Sequence, residues 1–118
     1  MSQNSTVIIN EITKGTGAAI QKGQTATVHY TGKLNDKDGD KFDSSHDRED
    51  AFEFKKEMVI AGWGIGIFGD GAEIAPMNIG GVREMTIPPH LAYGKGGAGG
   101  IIGPDATLYF EVELLDAK

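Results

Sequence analysis

Cysteine is absent from this sequence of 118 residues, which also has only four prolines and one tryptophan. Without a thiol, a disulfide framework, a thiolate metal site and a cysteine nucleophile are all excluded. No apolar run approaches the ~20 residues that a membrane-spanning helix needs. Residues 1–6 lack the basic and apolar stretches of a secretion signal, so we expect a cytoplasmic protein.

Positive charge is also scarce: 11 Lys and Arg residues face 17 Asp and Glu residues, for a net charge of −6. A chain of this charge is repelled by polyphosphate backbones and by anionic lipid surfaces. Nucleic acids and membranes are therefore not expected among its partners.

Recognisable metal and cofactor motifs are missing as well. His29, His46 and His90 lie far apart in the sequence without metal-ligand spacing, and His29, on the polar face of a strand, is expected to be a surface histidine. The acidic stretch 36–40 has its glycine at the wrong place for a calcium loop and predicts a hairpin tip. The glycine-rich stretch 94–99 matches a dinucleotide fingerprint, but no helix is predicted after it. We expect neither a metal nor a cofactor.

Glycine is abundant, with 18 residues, about twice the usual ~7%. This content argues against a helical bundle and favours strands and turns. The length predicts one domain over residues 1–118, with residues 1–6 frayed. Period-two patterns, β-branched residues and the turn chemistry of residues 35–40 predict six strands, at 7–13, 24–34, 41–43, 52–54, 82–88 and 107–115.

The side-chain pattern also assigns faces to these segments. In the last strand Tyr109 is predicted to point outward, and the polar stretch 44–50 is predicted to be a loop. Residues 58–69 predict one short helix, with Val59, Ile60 and Trp63 on its apolar face. The fold class is therefore α+β, with an antiparallel sheet of five to six strands and one helix on its apolar face.

The aromatic residues leave two interpretations open. Tyr30 and Phe110 point inward from strands, so with Trp63 they form either the core or an aromatic-lined pocket for a small ligand. Asp43 lies beside the apolar face, where an unpaired carboxylate is costly, and Arg48 could supply the partner.

Five motifs, in order along nearly the whole chain, carry a family resemblance. They are VHYTG at 28–32, FDSS at 42–45, VIAGW at 59–63, IPPHLAYG at 87–94, and ATL with FEVELL at 106–115. Together they resemble a single-domain FKBP-type peptidyl-prolyl cis-trans isomerase. The resemblance implies a twisted, mainly antiparallel sheet wrapped around one short helix, with the active pocket between them.

The resemblance also implies roles for individual residues. Trp63 would form the pocket floor and Asp43, steadied by Arg48 and Tyr30, would face the bound carbonyl region, while the Ile60 N–H would bond a ligand carbonyl. The implied catalytic residues are Tyr30, Phe42, Asp43, Tyr93 and Phe110. The implied binding residues are Arg48, Phe52, Val59, Ile60, Trp63 and the flap residues Ile101 and Ile102.

The implied activity is acceleration of X-Pro bond rotation during protein folding, without metal or cofactor. Proline-containing polypeptides would be the substrates, macrolides of the tacrolimus and rapamycin type the inhibitors, and the protein a monomer. Two alternatives stay open: a non-enzymatic binding module, and a folding chaperone for proline-containing segments.

The sequence departs from the family pattern in three places. Ala98 stands where relatives often carry a flap histidine, and the stretch between Phe54 and Val59 is about two residues shorter than in the best-known members. Residues 70–76 form a loop insertion that separates Gly69 from Met77, and its role is open: Ile74 could pack over the helix or the pocket edge.

Overall fold

The computed structural model describes residues 7–118, except the side chain of Arg48, so the expected fraying of residues 1–6 lies outside the described part. Six strands are β1 (Ile8–Thr13), β2 (Ala26–Leu34), β3 (Lys41–Ser44), β4 (Phe52–Phe54), β5 (Val82–Ile87) and β6 (Leu108–Ala117). Two helices are α1 (Ser45–Arg48) and α2 (Ala61–Phe68). Short 3-10 turns span Lys56–Met58, Pro89–Leu91 and Gly94–Gly96. Within the described residues, no helix is long and apolar enough to cross a membrane.

The six strands form one antiparallel sheet in the order β1-β5-β6-β2-β3, with β4 also paired to β2. Strand β2 therefore has two different neighbours along one edge. Its first part pairs with β4, with Val28 opposite Phe52, and its last part pairs with β3, with Gly32 opposite Asp43. The predicted antiparallel sheet with a short helix is confirmed, with six strands.

Alternating burial places the core between the sheet and α2. Val28, Met85, Ile87 and Leu108 are completely buried, as the period-two patterns predict for one face of a sheet. Arg83 is also on this inward face and is only 5% exposed, a position that the pattern did not predict.

Tyr109 contradicts the predicted outward orientation, because it is only 8% exposed. Its hydroxyl donates to Glu84 Oε2 at 2.7 Å, and Asn10 Nδ2 donates to the other Glu84 oxygen at 2.7 Å. The ring can be covered because its polar tip has this acceptor. Burial and the neighbouring Glu84 both raise the pKa of Tyr109.

The predicted loop at 44–50 is wrong: Ser44 ends β3 and caps α1, its Oγ accepting from the His46 N–H at 3.2 Å. Ser45 is fully buried behind β2. Its Oγ accepts from the Tyr30 N–H at 2.7 Å, lies 2.8 Å from His29 Nδ1, and is 3.3 Å from the Tyr30 carbonyl oxygen. A serine whose side chain accepts a backbone hydrogen bond from a strand cannot be distinguished from a loop serine in the sequence.

Two of the three histidines, which lie far apart in the sequence, are brought together by the fold. The rings of His29 and His46 stack with centroids 4.5 Å apart and planes at 20°. They meet because the β2–β3 hairpin returns the chain to β2 and α1 follows directly.

Helix α2 begins at Ala61, so Val59 and Ile60 precede it instead of lying on its face as predicted. Its glycines are needed for close packing on β5. A Cβ at Gly62 would lie against Ile87 Cγ2, and a Cβ at Gly66 against Met85 Sδ, closer than real side-chain contacts in both cases. The sheet therefore approaches the helix backbone directly, and this contact compensates the low helix propensity of glycine.

We expect Gly62→Ala to destabilise the protein by ~1–3 kcal/mol, because the added methyl group overpacks against a branched, buried Ile87. This effect opposes the ~1 kcal/mol that alanine gains in a free helix. Denaturant unfolding measures it. Gly71→Ala is no control because its φ is +79°, whereas Gly103→Ala, with open space around it, is expected to change little. Equal stability for wild type and Gly62→Ala would contradict the close approach.

The segment 70–76 is held in a turn by hydrogen bonds of its first residue, Asp70. Asp70 Oδ1 accepts from the N–H groups of Ala72 at 2.8 Å and Ile74 at 2.9 Å, and the Asp70 N–H donates to the Ile74 carbonyl at 3.0 Å. The N–H groups of Ile74 and Ala72 lower the pKa of the Asp70 carboxyl. Ile74 packs against the core, so the segment is a defined turn with one apolar anchor.

Candidate functional site

A cavity of about 500 Å³ opens between the sheet and the segment that leads into α2. The residues lining it come from four strands, a 3-10 turn, the start of α2 and the loop after β5. They are Tyr30, Phe42, Asp43, Phe52, Met58, Val59, Ile60, Trp63, Tyr93 and Phe110. This volume is within the ~300–1,000 Å³ of small-ligand pockets. Nine of the ten were predicted for this pocket, and Met58 was missed.

Trp63 is the centre of an aromatic cluster around the cavity and is only 4% exposed. Its ring makes edge-to-face contacts with Tyr30 at 5.0 Å, Phe54 at 5.2 Å and Phe110 at 5.2 Å between centroids. Its Nε1 is buried and has no hydrogen-bond partner among the described residues. The four rings therefore leave the floor apolar and fix the orientation of the indole.

A polar pair stands at one wall of this cavity. The Tyr30 hydroxyl donates to Asp43 Oδ2 at 2.5 Å, a short, charge-assisted hydrogen bond that orients the carboxylate. The predicted contribution of the Arg48 side chain lies outside the described residues. The pocket thus combines an apolar floor with an oriented carboxylate.

Val59 and Ile60 lie in extended backbone ahead of α2 and form the opposite part of the lining. The Ile60 carbonyl accepts from the Trp63 N–H at 3.0 Å and so starts the helix. Within residues 7–118, the Ile60 N–H makes no backbone hydrogen bond. It is therefore a donor at the pocket wall that a ligand carbonyl could use.

A family model described as FKBP-type peptidyl-prolyl cis-trans isomerase matches residues 17–115. The chain belongs to this family. Among similar FKBP-type proteins, FK506-binding protein 2 of Yarrowia lipolytica is 50% identical over 97 residues, covering 80% of the chain and 61% of that protein. The FK506-binding protein of Neisseria meningitidis serogroup B is 46% identical over 111 residues, covering 92% of the chain and 94% of that protein.

Solved FKBP structures share the fold. The crystal structure of AtFKBP13 matches with a TM-score of 0.87 and 38% identity, covering 95% of the chain and 93% of that structure. FkpA of Escherichia coli matches with a TM-score of 0.81 and 38% identity, covering 95% of the chain but 48% of that structure. The chain thus spans about half of FkpA and 61% of the Yarrowia protein.

The predicted flap residues of this FKBP-type domain do not line the cavity. Ile101 is 62% exposed, whereas Ile102 is 7% exposed and packs in the core. Ala98 and Ile102 form a small bridge, in which the Ala98 N–H donates to the Ile102 carbonyl at 2.8 Å. Tyr93 does line the cavity and is 43% exposed.

Met58 was missed because the sequence placed it at the start of a helix. It ends the 3-10 turn Lys56–Met58 instead, immediately before the wall residue Val59. The short stretch between Phe54 and Val59 was the feature of the sequence that could have indicated this turn, because so short a connection has to turn abruptly to reach the pocket. Within the described residues, no group of three His, Asp or Glu side chains is placed to share a metal ion.

Proposed function

We propose that the protein catalyses cis–trans isomerisation of X-Pro bonds in polypeptides and thereby assists folding. The observation that carries the proposal is the apolar cavity floored by Trp63, with one oriented carboxylate at its wall. Family membership supports the same activity.

The chemistry requires no nucleophile. Amide resonance sets a rotation barrier of ~18–20 kcal/mol, and each ~1.36 kcal/mol removed gives a tenfold rate. The twisted imide has lost resonance and is less polar than the planar amide. A dry aromatic pocket therefore binds the twisted state better than the ground state, and this difference in binding lowers the barrier.

The placement of the residues supports the following roles within this proposal. The proline ring rests on Trp63, the imide carbonyl of X-Pro faces the Tyr30–Asp43 pair, and the Ile60 N–H bonds the carbonyl on the other side of the ring. Phe42, Phe110 and Tyr93 close the side of the cavity around the imide, and Phe52 and Val59 close the other. The Ile101 and Ile102 roles and that of Arg48 stay predictions.

The test is a prolyl-peptide isomerisation assay with no metal or nucleotide added. A rate above that of buffer, unchanged by chelator and abolished by a tacrolimus-type macrolide, is expected. A rate no higher than that of buffer, with retained binding of prolyl peptides, would favour the binding module. A chaperone that acts by holding unfolded chains would suppress aggregation of a client without proline. The monomeric state and the cytoplasmic location also stay predictions.

We expect Asp43→Asn to lower kcat/KM by about tenfold to a hundredfold, because the neutral amide is a weaker electrostatic partner for the reacting imide. Stability should change little, since the carboxylate is only half-buried and the amide keeps its shape. Tyr30→Phe removes the orienting hydroxyl and serves as the comparison. Full activity of Asp43→Asn combined with a large loss of stability would make Asp43 a structural residue.

A further inference from the structure

Met58 lies at the mouth of the pocket. It lines the cavity and is nevertheless 66% exposed. Its backbone is fixed, because the Met58 N–H donates to the Lys55 carbonyl at 2.9 Å and closes the 3-10 turn. A large apolar side chain is thus held at a ligand cavity in contact with water, and the proposed mechanism does not use it.

The register of β2 separates Met58 from the polar pair. Phe52 is opposite Val28 and Asp43 is opposite Gly32, four residues further on, or ~13 Å along a strand. The turn Lys56–Met58 follows β4 after one residue, so it belongs to the Phe52 side. The mouth therefore has a polar end at Asp43 and an apolar end at Phe52 and Met58.

A bound chain has to pass both ends. The buried Trp63 closes the floor, so the residues on either side of proline leave through the mouth. With the imide carbonyl at the Tyr30–Asp43 pair, the residue before proline leaves at the polar end. The residue after proline then leaves along Val59 and Ile60, and Met58 immediately precedes them.

We propose that Met58 is a specificity-determining residue that contacts the side chain following proline and favours an apolar one. This inference rests on the proposed function. A thioether side chain adapts to ligands of different shape and contacts aromatic rings well, but it offers no partner to a charge. The site therefore favours apolar side chains as a class at the position after proline, and not one particular amino acid.

Reciprocal charges at this position test the contact. Met58→Glu and Met58→Lys are compared on peptides Leu-Pro-X′, where X′ is Phe, Lys or Glu. Met58→Glu should raise the ratio of kcat/KM for Lys over Glu by about threefold, and Met58→Lys should lower it by about threefold, as for an exposed ion pair. Both shifts should shrink in high salt, and Met58→Leu should keep the wild-type preference for Phe.

Ile12→Glu and Ile12→Lys are the matched controls. Ile12 is an apolar residue of β1 that is 51% exposed and does not line the cavity. These variants change the net charge by the same amount, so any effect of the whole-protein field appears in them too. Their X′ ratios should equal those of wild type.

The outcomes separate the contact from the activity. If the charge effect appears when the residue before proline is varied and not when X′ is varied, the proposed orientation is overturned. Equal ratios in the Met58 and Ile12 variants of an active protein overturn the contact itself. If the wild type is inactive, the proposed function fails. The Met58 contact is then tested by peptide affinities, measured from Trp63 fluorescence, with the ratio for X′ = Lys over X′ = Glu compared between the Met58 and Ile12 variants.

Discussion

Trp63→Leu is expected to lower kcat/KM on a prolyl peptide by about a hundredfold, because the pocket loses the ring on which we propose that proline rests. It should also lower the free energy of unfolding by ~2–4 kcal/mol, since the indole is 4% exposed and contacts four aromatic rings. Peptide kinetics and denaturant unfolding measure the two losses separately.

Trp63→Phe is the matched control for this variant. It keeps an aromatic floor and removes the buried Nε1 that has no partner among the described residues, so part of its packing loss is offset. Trp63 is the sole tryptophan, and its emission should change when a macrolide or prolyl peptide binds. An emission spectrum unaffected by saturating ligand would place the ligand away from this ring.

Arg83→Met should lower the free energy of unfolding by ~2–4 kcal/mol, because two hydrogen bonds of a buried cation are lost. Arg83 Nε donates to Glu11 Oε1 at 2.9 Å, and Arg83 Nη1 donates to the Gly66 carbonyl at 2.8 Å. Gly66 lies in the last turn of α2, where carbonyls lack helical partners. Methionine keeps much of the stem volume, so thermal unfolding reports chiefly the lost polar contacts.

Lys22→Met is the control, since it removes one positive charge at an exposed position. The double variant with Glu11→Gln separates the two bonds in a double-mutant cycle. Arg83→Lys should recover little stability, because an ammonium group cannot reproduce the planar fork of the guanidinium. An Arg83→Met protein as stable as Lys22→Met would show that the Gly66 carbonyl does not need this donor.

Period-two patterns were sufficient to predict β2, β5 and β6, because one face of each of these strands is more buried than the other. Strand β1, which is mostly exposed, was predicted from its β-branched residues, and β3 from the turn that precedes it. The period did not identify Arg83, which occupies an inward position with Met85 and Ile87. Its partners are Glu11 and Gly66, distant in sequence, so only the folded arrangement shows why a cation fits there. Tyr109 was misassigned for the same reason, since its acceptor Glu84 is on another strand.

The pocket was predictable from the motifs, and its aromatic residues were ambiguous without them. Trp63 is both a core residue and the pocket floor, so burial patterns alone could not choose between the two interpretations. Helix α2 was predicted to include Val59 and Ile60, whereas the backbone is extended there and places both at the pocket wall. Apolar periodicity does not distinguish residues on a helix face from apolar residues in an extended segment that leads into the helix.

The Ser45 hydroxyl behind β2 has one proton and two acceptors within reach, His29 Nδ1 at 2.8 Å and the Tyr30 carbonyl at 3.3 Å. If His29 carries its proton on Nε2, the hydroxyl donates to Nδ1; if Nδ1 is protonated, the hydroxyl turns to the carbonyl. His29 and Tyr30 point to opposite faces of the sheet. The tautomer of His29, on the outer face of the sheet, thus decides which way the Ser45 hydroxyl points behind the pocket wall. Nitrogen NMR of the His29 ring identifies the tautomer and therefore the orientation of this hydroxyl.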